Sequence, residues 1–204
     1  MQSLRLPGQD GASCGRRQGT WIVSRRSRRI RIGKPDPHRS PVHLSLADQY
    51  DFTNGNCSIF AFGAQEMLGG ELTMLICADK RQFEQHDWPE DVPLCLHVFL
   101  TMPDGSCVDA EGRRSLPDLL RAFGVKRGWK SRVVAATRQD VETHFRGLEN
   151  CGDEIEAVAE LLREHGWHQT IPECDDALDR NYEQARQESY DRHMARKASP
   201  AAAP

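Results

Sequence analysis

The sequence has no apolar run of about 18 residues, so it predicts no helix that could span a membrane. Its first residues lack the apolar core of a secretory signal, and we therefore expect a soluble protein made in the cytoplasm. Hydrophobic residues make up 38% of the 204 residues, and 16 more are glycine. This share is ordinary for a globular domain and excludes collagen-like, mucin-like and wholly disordered chains.

The cysteines include no CxxC pair. They are Cys14, Cys57, Cys77, Cys95, Cys107, Cys151 and Cys174. An odd number without a secretory signal favours reduced thiols over a disulfide framework. A metal set is conceivable from four residues of the last third, Cys151, His165, His168 and Cys174, but their spacing matches no standard zinc module. We expect neither a metal nor a cofactor, and ask instead which thiol is reactive.

Charge is divided unevenly along the chain. Residues 1–50 hold ten Lys and Arg against three Asp, whereas the rest holds seventeen against twenty-seven acidic residues. The basic excess is concentrated in five arginines, Arg25, Arg26, Arg28, Arg29 and Arg31. Clustered arginines can bind nucleic acid or another anionic surface, although a solvated leader has the same composition. The remainder is acidic and lacks a basic, aromatic face, so nucleic-acid binding is an alternative hypothesis only.

Composition and hydrophobic periodicity divide the chain into four segments. Residues 1–45 are expected to form a basic, largely disordered leader, and residues 196–204 a tail. Residues 46–137 alternate between helical and strand patterns, and residues 138–195 are helical throughout. The prediction is an α+β fold: a small antiparallel sheet with one helix on one side, and a helical C-terminal extension that packs on this core.

The local signals that delimit these elements are mostly helix caps and glycine stops. Strands are expected over 71–79, 94–102, 106–112 and 131–137, with a polar loop over 81–93. Helices are expected from Cys57 to the pair Gly69–Gly70, from Ser115, from Thr137, from Asp153 to Gly166, and over 175–195.

Cys57 is predicted to lie in the first turn of its helix, just after a turn-forming Asn54, Gly55 and Asn56, and therefore at an exposed loop–helix junction. Unpaired backbone N–H groups and the positive end of the helix dipole lie there, and both favour a thiolate. The alternative is a buried cysteine that packs as a small hydrophobic side chain.

The Met102–Ser106 segment predicts a hairpin with a bulged, three-residue turn in which Gly105 is left-handed. In that register His97 and Asp109 are diagonal neighbours on one face, within reach of each other. A two-residue turn would instead place them on opposite faces.

Two neighbours on the same predicted face offer alternatives. Glu111 would lie opposite His97 and could orient the imidazole in place of Asp109. Cys107 could be the nucleophile in place of Cys57, although a position in mid-strand lacks the helix dipole.

A cysteine at a helix start, a histidine on one strand and an aspartate on the next resemble the papain-like superfamily, and most of all its transglutaminase-like branch. Residues 56–61 are similar to that branch's Gly-x-Cys-x-x-Phe-Ala segment, and residues 97–109 to its paired His and Asp strands. Phe99 replaces the usual tryptophan. The resemblance covers about a quarter of the chain, residues 54–112, and no residue clearly matches the oxyanion-hole glutamine of papain.

The resemblance implies a papain-like fold and a Cys–His–Asp triad. Cys57 would be the nucleophile, His97 its proton acceptor and Asp109 the residue that orients the imidazole. The backbone N–H of Cys57 would form the oxyanion hole, with Asn54, Asn56 or Gln49 as candidate second donors. The reaction would be peptide hydrolysis, deamidation or acyl transfer on a protein or peptide amide, through a thioester. The competing hypothesis is a non-catalytic protein-binding domain on the same fold.

Overall fold

The computed structural model describes residues 42–77, 94–123, 131–145 and 148–198. The predictions made for residues 1–41, including the arginine cluster, for the loop 81–93 and for the end of the tail lie outside the described residues. Within the described ranges, no helix has the length and apolar character needed to cross a membrane.

The described elements alternate helices with short strands, as an α+β fold requires. In chain order they are α1 (Leu46–Thr53), α2 (Cys57–Leu68), β1 (Glu71–Cys77), β2 (Leu94–Thr101), β3 (Cys107–Asp109), β4 (Gly112–Arg114), α3 (Leu116–Ala122), β5 (Ser131–Ala135), α4 (Arg138–His144), a 3-10 turn (Leu148–Asn150), α5 (Gly152–Glu164), α6 (Ala177–Arg180) and α7 (Tyr182–Ala198). The strands form one antiparallel sheet in the order β4-β3-β2-β1-β5. The small antiparallel sheet of the α+β prediction is confirmed.

The hairpin between β2 and β3 has the predicted register. Leu100 pairs with Val108, the Met102 N–H donates to the Ser106 carbonyl at 2.8 Å, and Gly105 has a φ of 81°. The bulged turn is therefore present, and a left-handed glycine is what such a turn requires.

The predicted strand over 106–112 is wrong in its second half. The chain turns at residues 110 and 111, where the Asp109 carboxylate accepts the Glu111 N–H at 3.0 Å, and then returns as β4. This local side-chain bond favours a turn over continued extension. Gly112 follows with a φ of 123° and pairs with Asp109. Glu111 consequently does not lie opposite His97.

The pairing of β1 with β2 contains a bulge. Leu75 pairs with His97, but Ile76 pairs with Cys95, so Leu96 is an extra residue. A bulge changes the direction of the side chains around it and is common beside active sites. Here it lies next to the histidine on which the resemblance depends.

The two faces of the sheet carry different helices, as the alternation predicts. One face, with Val98, Leu100 and Val108, belongs to the main apolar core together with residues of α2 and α5. The other packs a smaller cluster of Leu75, Phe99, Cys107 and Leu119, the last from α3.

The α1 helix has no counterpart in the sequence predictions. It lies near the N-terminal end of the described chain and contacts α7 at the other end. Ser45 caps it by accepting the Asp48 N–H at 3.2 Å. The Arg192 guanidinium of α7 reaches Asp48 at 2.7 Å. The Trp167 indole donates to the Val42 carbonyl at 3.0 Å, so residues at the end of the predicted leader pack on the C-terminal extension. The helix predicted over 175–195 is divided at Asn181 into α6 and α7.

The crossing of α2 and α5 depends on Gly63. A Cβ placed there would lie 2.6 Å from the Ile155 carbonyl oxygen and 2.7 Å from the Val158 Cβ. Backbone atoms cannot yield easily, so only glycine permits this approach.

We predict that Gly63→Ala lowers the free energy of unfolding by about 1–3 kcal/mol, because the two helices must separate. Urea unfolding followed by circular dichroism measures the change. Gly152→Ala is the matched control: nothing lies within 4 Å of its Cβ position at the start of α5. It should be neutral or stabilise by up to about 1 kcal/mol. Equal effects from the two substitutions would contradict the packing argument.

Candidate active site

Cys57 is the first residue of α2, as predicted, but its side chain is enclosed, so the predicted exposure is wrong. The Asn56 side chain does not cap the helix, so it does not bind the backbone N–H groups of the first turn. Cys57 is only 4% exposed and belongs to the main apolar core. The helix dipole and the apolar surroundings act on the same thiol.

The side chains of His97 and Asp109 contact each other on one face of the sheet. The imidazole Nε2 and the carboxylate Oδ2 are 3.1 Å apart, and both side chains are 1% exposed. The Nδ1 atom of His97 is buried with no hydrogen-bond partner among the described residues. Because Asp109 engages Nε2, Nδ1 is the ring nitrogen that remains for exchange of a proton with another group.

The charge state of His97 links it to Cys57 as well as to Asp109. Burial opposes protonation, but the hydrogen bond with Asp109 and the charges of Asp109 and Cys57 raise the pKa of His97 to about 9. An imidazolium is therefore favoured at neutral pH. The three side chains form one electrostatic unit.

Asp109 is surrounded by donors. Its carboxylate oxygens accept from the Arg114 guanidinium at 2.9 and 2.7 Å, from the Glu111 N–H at 3.0 Å, and interact with His97. Burial alone would raise the pKa of Asp109, but the hydrogen bond with His97 and the charge of Arg114 outweigh it, so the pKa lies below its usual value. The carboxylate is thus held ionised.

Glu111 differs from Asp109 in its surroundings. It contacts Arg114 at 2.9 Å, and burial together with the Asp109 charge raises its pKa. The alternative in which Glu111 orients His97 is therefore not supported: Asp109 occupies that position.

Aromatic rings enclose the imidazole. The Phe123 ring, just after α3, stacks on it with centroids 3.9 Å apart, and the Phe99 ring lies at 6.1 Å. A cavity of about 440 Å³ borders Arg114, Arg121 and Cys174, but none of the three triad residues lines it. Among the described residues, Phe99 and Phe123 therefore cover the imidazole of His97.

The three side-chain amides considered for the oxyanion hole are engaged elsewhere. Gln49 donates to the Leu44 carbonyl at 2.9 Å, Asn54 to that of Tyr50 at 3.0 Å, and Asn56 to that of Asp51 at 3.2 Å. These bonds shape α1 and its connection to α2. The backbone N–H of Cys57 stays the candidate donor with the simplest geometry.

The structure does not support two alternatives from the sequence, Cys107 as the nucleophile and the four-residue metal set. Cys107 is 1% exposed, and burial raises its pKa to about 11, which disfavours a thiolate. Cys151 and His165 cap opposite ends of α5, about 20 Å apart for a helix of this length. The described ranges contain no group of three or more His, Cys, Asp or Glu that could hold a metal ion.

Sequence reasoning missed Arg114 and Phe123. Arg114 pairs with Cys107 across the β3–β4 hairpin, and so shares a face with Asp109. The one available signal was the Asp109-x-x-Gly112 spacing, which is typical of a tight turn. Phe123 follows the apolar residues Leu119 and Leu120 in the sequence, and no local signal indicates that it stacks on His97.

Comparison with protein-family models, with curated proteins and with solved structures finds no significant match to this chain. The functional argument consequently rests on the geometry of its own residues.

We predict that Asp109→Asn lowers the pKa of His97 from about 9 toward or below its ordinary value of about 6.5. The reason is that burial disfavours the imidazolium once the carboxylate is gone. Titration of the His97 ring by NMR measures this. Asp104→Asn, on the exposed turn of the same hairpin, is the control and should leave the His97 titration unchanged. A His97 titration that is the same in both variants would contradict the assignment.

Proposed function

We propose that this chain is a cysteine-dependent enzyme acting on amides, of the transglutaminase-like branch of the papain-like superfamily. One observation supports it above the others: a buried imidazole contacts a carboxylate through Nε2, and its buried Nδ1 has no hydrogen-bond partner among the described residues. The charge of Cys57 contributes to the raised pKa of the same imidazole. A nucleophile, a base and an orienting residue would be related in this way.

In the proposed reaction, the Cys57 thiolate attacks the carbonyl carbon of the substrate amide while His97 holds the proton on Nδ1. The carbonyl electron pair moves onto oxygen, where the backbone N–H of Cys57 at the start of α2 stabilises it. Return of that pair breaks the C–N bond, and His97 gives its proton to the leaving amine. The product is a thioester at Cys57. Asp109 stays ionised and keeps Nε2–H oriented throughout.

The second half of the reaction releases the acyl group. Water or an amine attacks the thioester carbon, His97 accepts the proton of the attacking group, and the Cys57 sulfur leaves as the thiolate, which restores the starting state. Peptidase, deamidase and acyltransferase reactions share this scheme and differ in the leaving and attacking groups. The proposal is therefore a class of amide chemistry.

We predict that Cys57 is the fastest of the described thiols to react with iodoacetamide, because the proposed mechanism places the His97 base beside the nucleophile. Residue-by-residue mass spectrometry measures the rates at each pH. His97→Gln should slow the reaction of Cys57 and change its pH dependence because the imidazole is lost. Cys107, whose pKa is raised, should react slowly throughout.

The matched controls for this measurement are His165→Gln and Cys107→Ser. His165 caps the far end of α5 and bonds the Leu161 carbonyl, so its loss should leave the Cys57 profile unchanged. A Cys57 that stays inert in the folded protein, or whose profile ignores His97, would contradict the proposal.

A non-catalytic protein-binding domain is the second candidate, and the burial of Cys57 and His97 favours it. In that case the His97–Asp109–Arg114 network would serve to hold the sheet together. The helix α7 packs on α1 but exposes Tyr182, Tyr190 and Met194, which are 38%, 57% and 44% accessible. A partner would contact that surface. Inert Cys57 in the alkylation measurement is the outcome that favours this candidate.

A further inference from the structure

We propose that Arg114 is a positioning residue that selects Asp109, rather than Glu111, as the partner of His97 and fixes that carboxylate in place. The inference rests on the proposed function, because it concerns how the imidazole of the same site is oriented. The ion pairs of Arg114 are with Asp109 and Glu111, so its effect on His97 would pass through Asp109.

One guanidinium nitrogen joins the two carboxylates. The Arg114 Nη2 atom lies 2.7 and 2.9 Å from the Asp109 oxygens and 2.9 Å from the Glu111 Oε1. All three side chains are nearly closed to solvent, at 4%, 1% and 6% exposure. Buried charge pairs of this kind are poor sources of stability but define one arrangement of their partners.

Both oxygens of Asp109 are occupied in that arrangement. Oδ1 lies between the Arg114 guanidinium and the Glu111 N–H, and Oδ2 lies between Arg114 and His97 Nε2. Rotation of the carboxylate would break at least two contacts. Arg114 therefore fixes the orientation of the Asp109 carboxylate toward the imidazole.

Two buried acids, Asp109 and Glu111, contact the Arg114 cation, and this cation determines which of them contacts His97. Asp109 and Glu111 are two residues apart and both buried, so without a cation they would repel each other, and one would become protonated. Arg114 binds Glu111 through the same Nη2 atom that contacts Asp109, and the Asp109 Oδ2 atom is left in contact with His97. The opposite directions of their pKa shifts, down for Asp109 and up for Glu111, agree with this division.

The backbone around Arg114 is held on both sides. β4 pairs with β3, and on its other edge the Arg113 N–H donates to the Pro172 carbonyl while the Cys174 N–H donates to that of Arg113, both at 2.8 Å. A Cβ on Gly112 would lie 2.5 Å from the Pro172 oxygen. A positioning group on such a fixed strand can hold the residues that carry the chemistry close to the geometry they need.

Arg114→Gln tests the inference, with Arg113→Gln as the matched control. Arg113 is the adjacent residue on the same strand, but its contact is with the exposed Asp104 at 3.3 Å. The readout is the pH profile of Cys57 alkylation by iodoacetamide in the full chain. Arg114→Gln should slow alkylation at pH 6.5 by roughly tenfold or more and change the pH dependence of the rate. Arg113→Gln should leave the profile unchanged, and Arg114→Lys should restore part of it.

These variants distinguish a positioning role of Arg114 from a role in folding alone. A purely structural Arg114 would lower the thermal midpoint and the reactive fraction without moving the pH midpoint of the molecules that stay folded, and that result overturns the inference. If Arg114→Gln does not fold, the double variant Arg114→Gln/Glu111→Gln removes one buried acid along with the cation. Its profile is compared with that of Glu111→Gln alone, and identical midpoints overturn the inference.

Failure of the inference and failure of the proposed function give different results. If His97→Gln moves the Cys57 profile and Arg114→Gln does not, the triad stands and Arg114 has no positioning role. If His97→Gln has no effect, the proposed function fails and the inference fails with it.

Discussion

The interaction between His97 and Asp109 is the constraint on which the rest of this site depends. An imidazole and a carboxylate that are each 1% exposed must satisfy one another, because burial of either alone is costly. The contact exists only in the observed register of β2 against β3, since a shift of one residue would put the two side chains on opposite faces. The hairpin turn, the bulge at Leu96 and the turn at Glu111 all lie within a few residues of the pair.

Much of the local structure could be predicted because its causes lie within a few residues. Ser115 and Thr137 each accept a backbone N–H three residues on, and Gly69 and Gly166 end helices with positive φ. The bulged turn follows from Pro-Asp-Gly, and the His97–Asp109 contact follows from that register. These signals are short-range, so a single sequence carries them.

Other features depend on parts of the chain that are distant in sequence. The β4 strand is completed by the segment around Glu173, and Arg114 gains its role from contacts with two acids on a turn that the sequence favours only weakly. The α1 helix owes its contacts to α7, more than a hundred residues later. Burial of Cys57 and its closure by neighbouring elements have the same origin, and an exposed loop–helix junction was the simpler local expectation.

The proposed function requires that Cys57 and His97 share a proton as a coupled pair. The NMR titration of the His97 ring, compared between the unmodified chain and Cys57→Ala, tests this directly. Because the thiol contributes to the raised pKa of His97, we expect that its removal lowers that pKa. The same titration in both proteins would show that the two side chains are not coupled, and would contradict the proposed function.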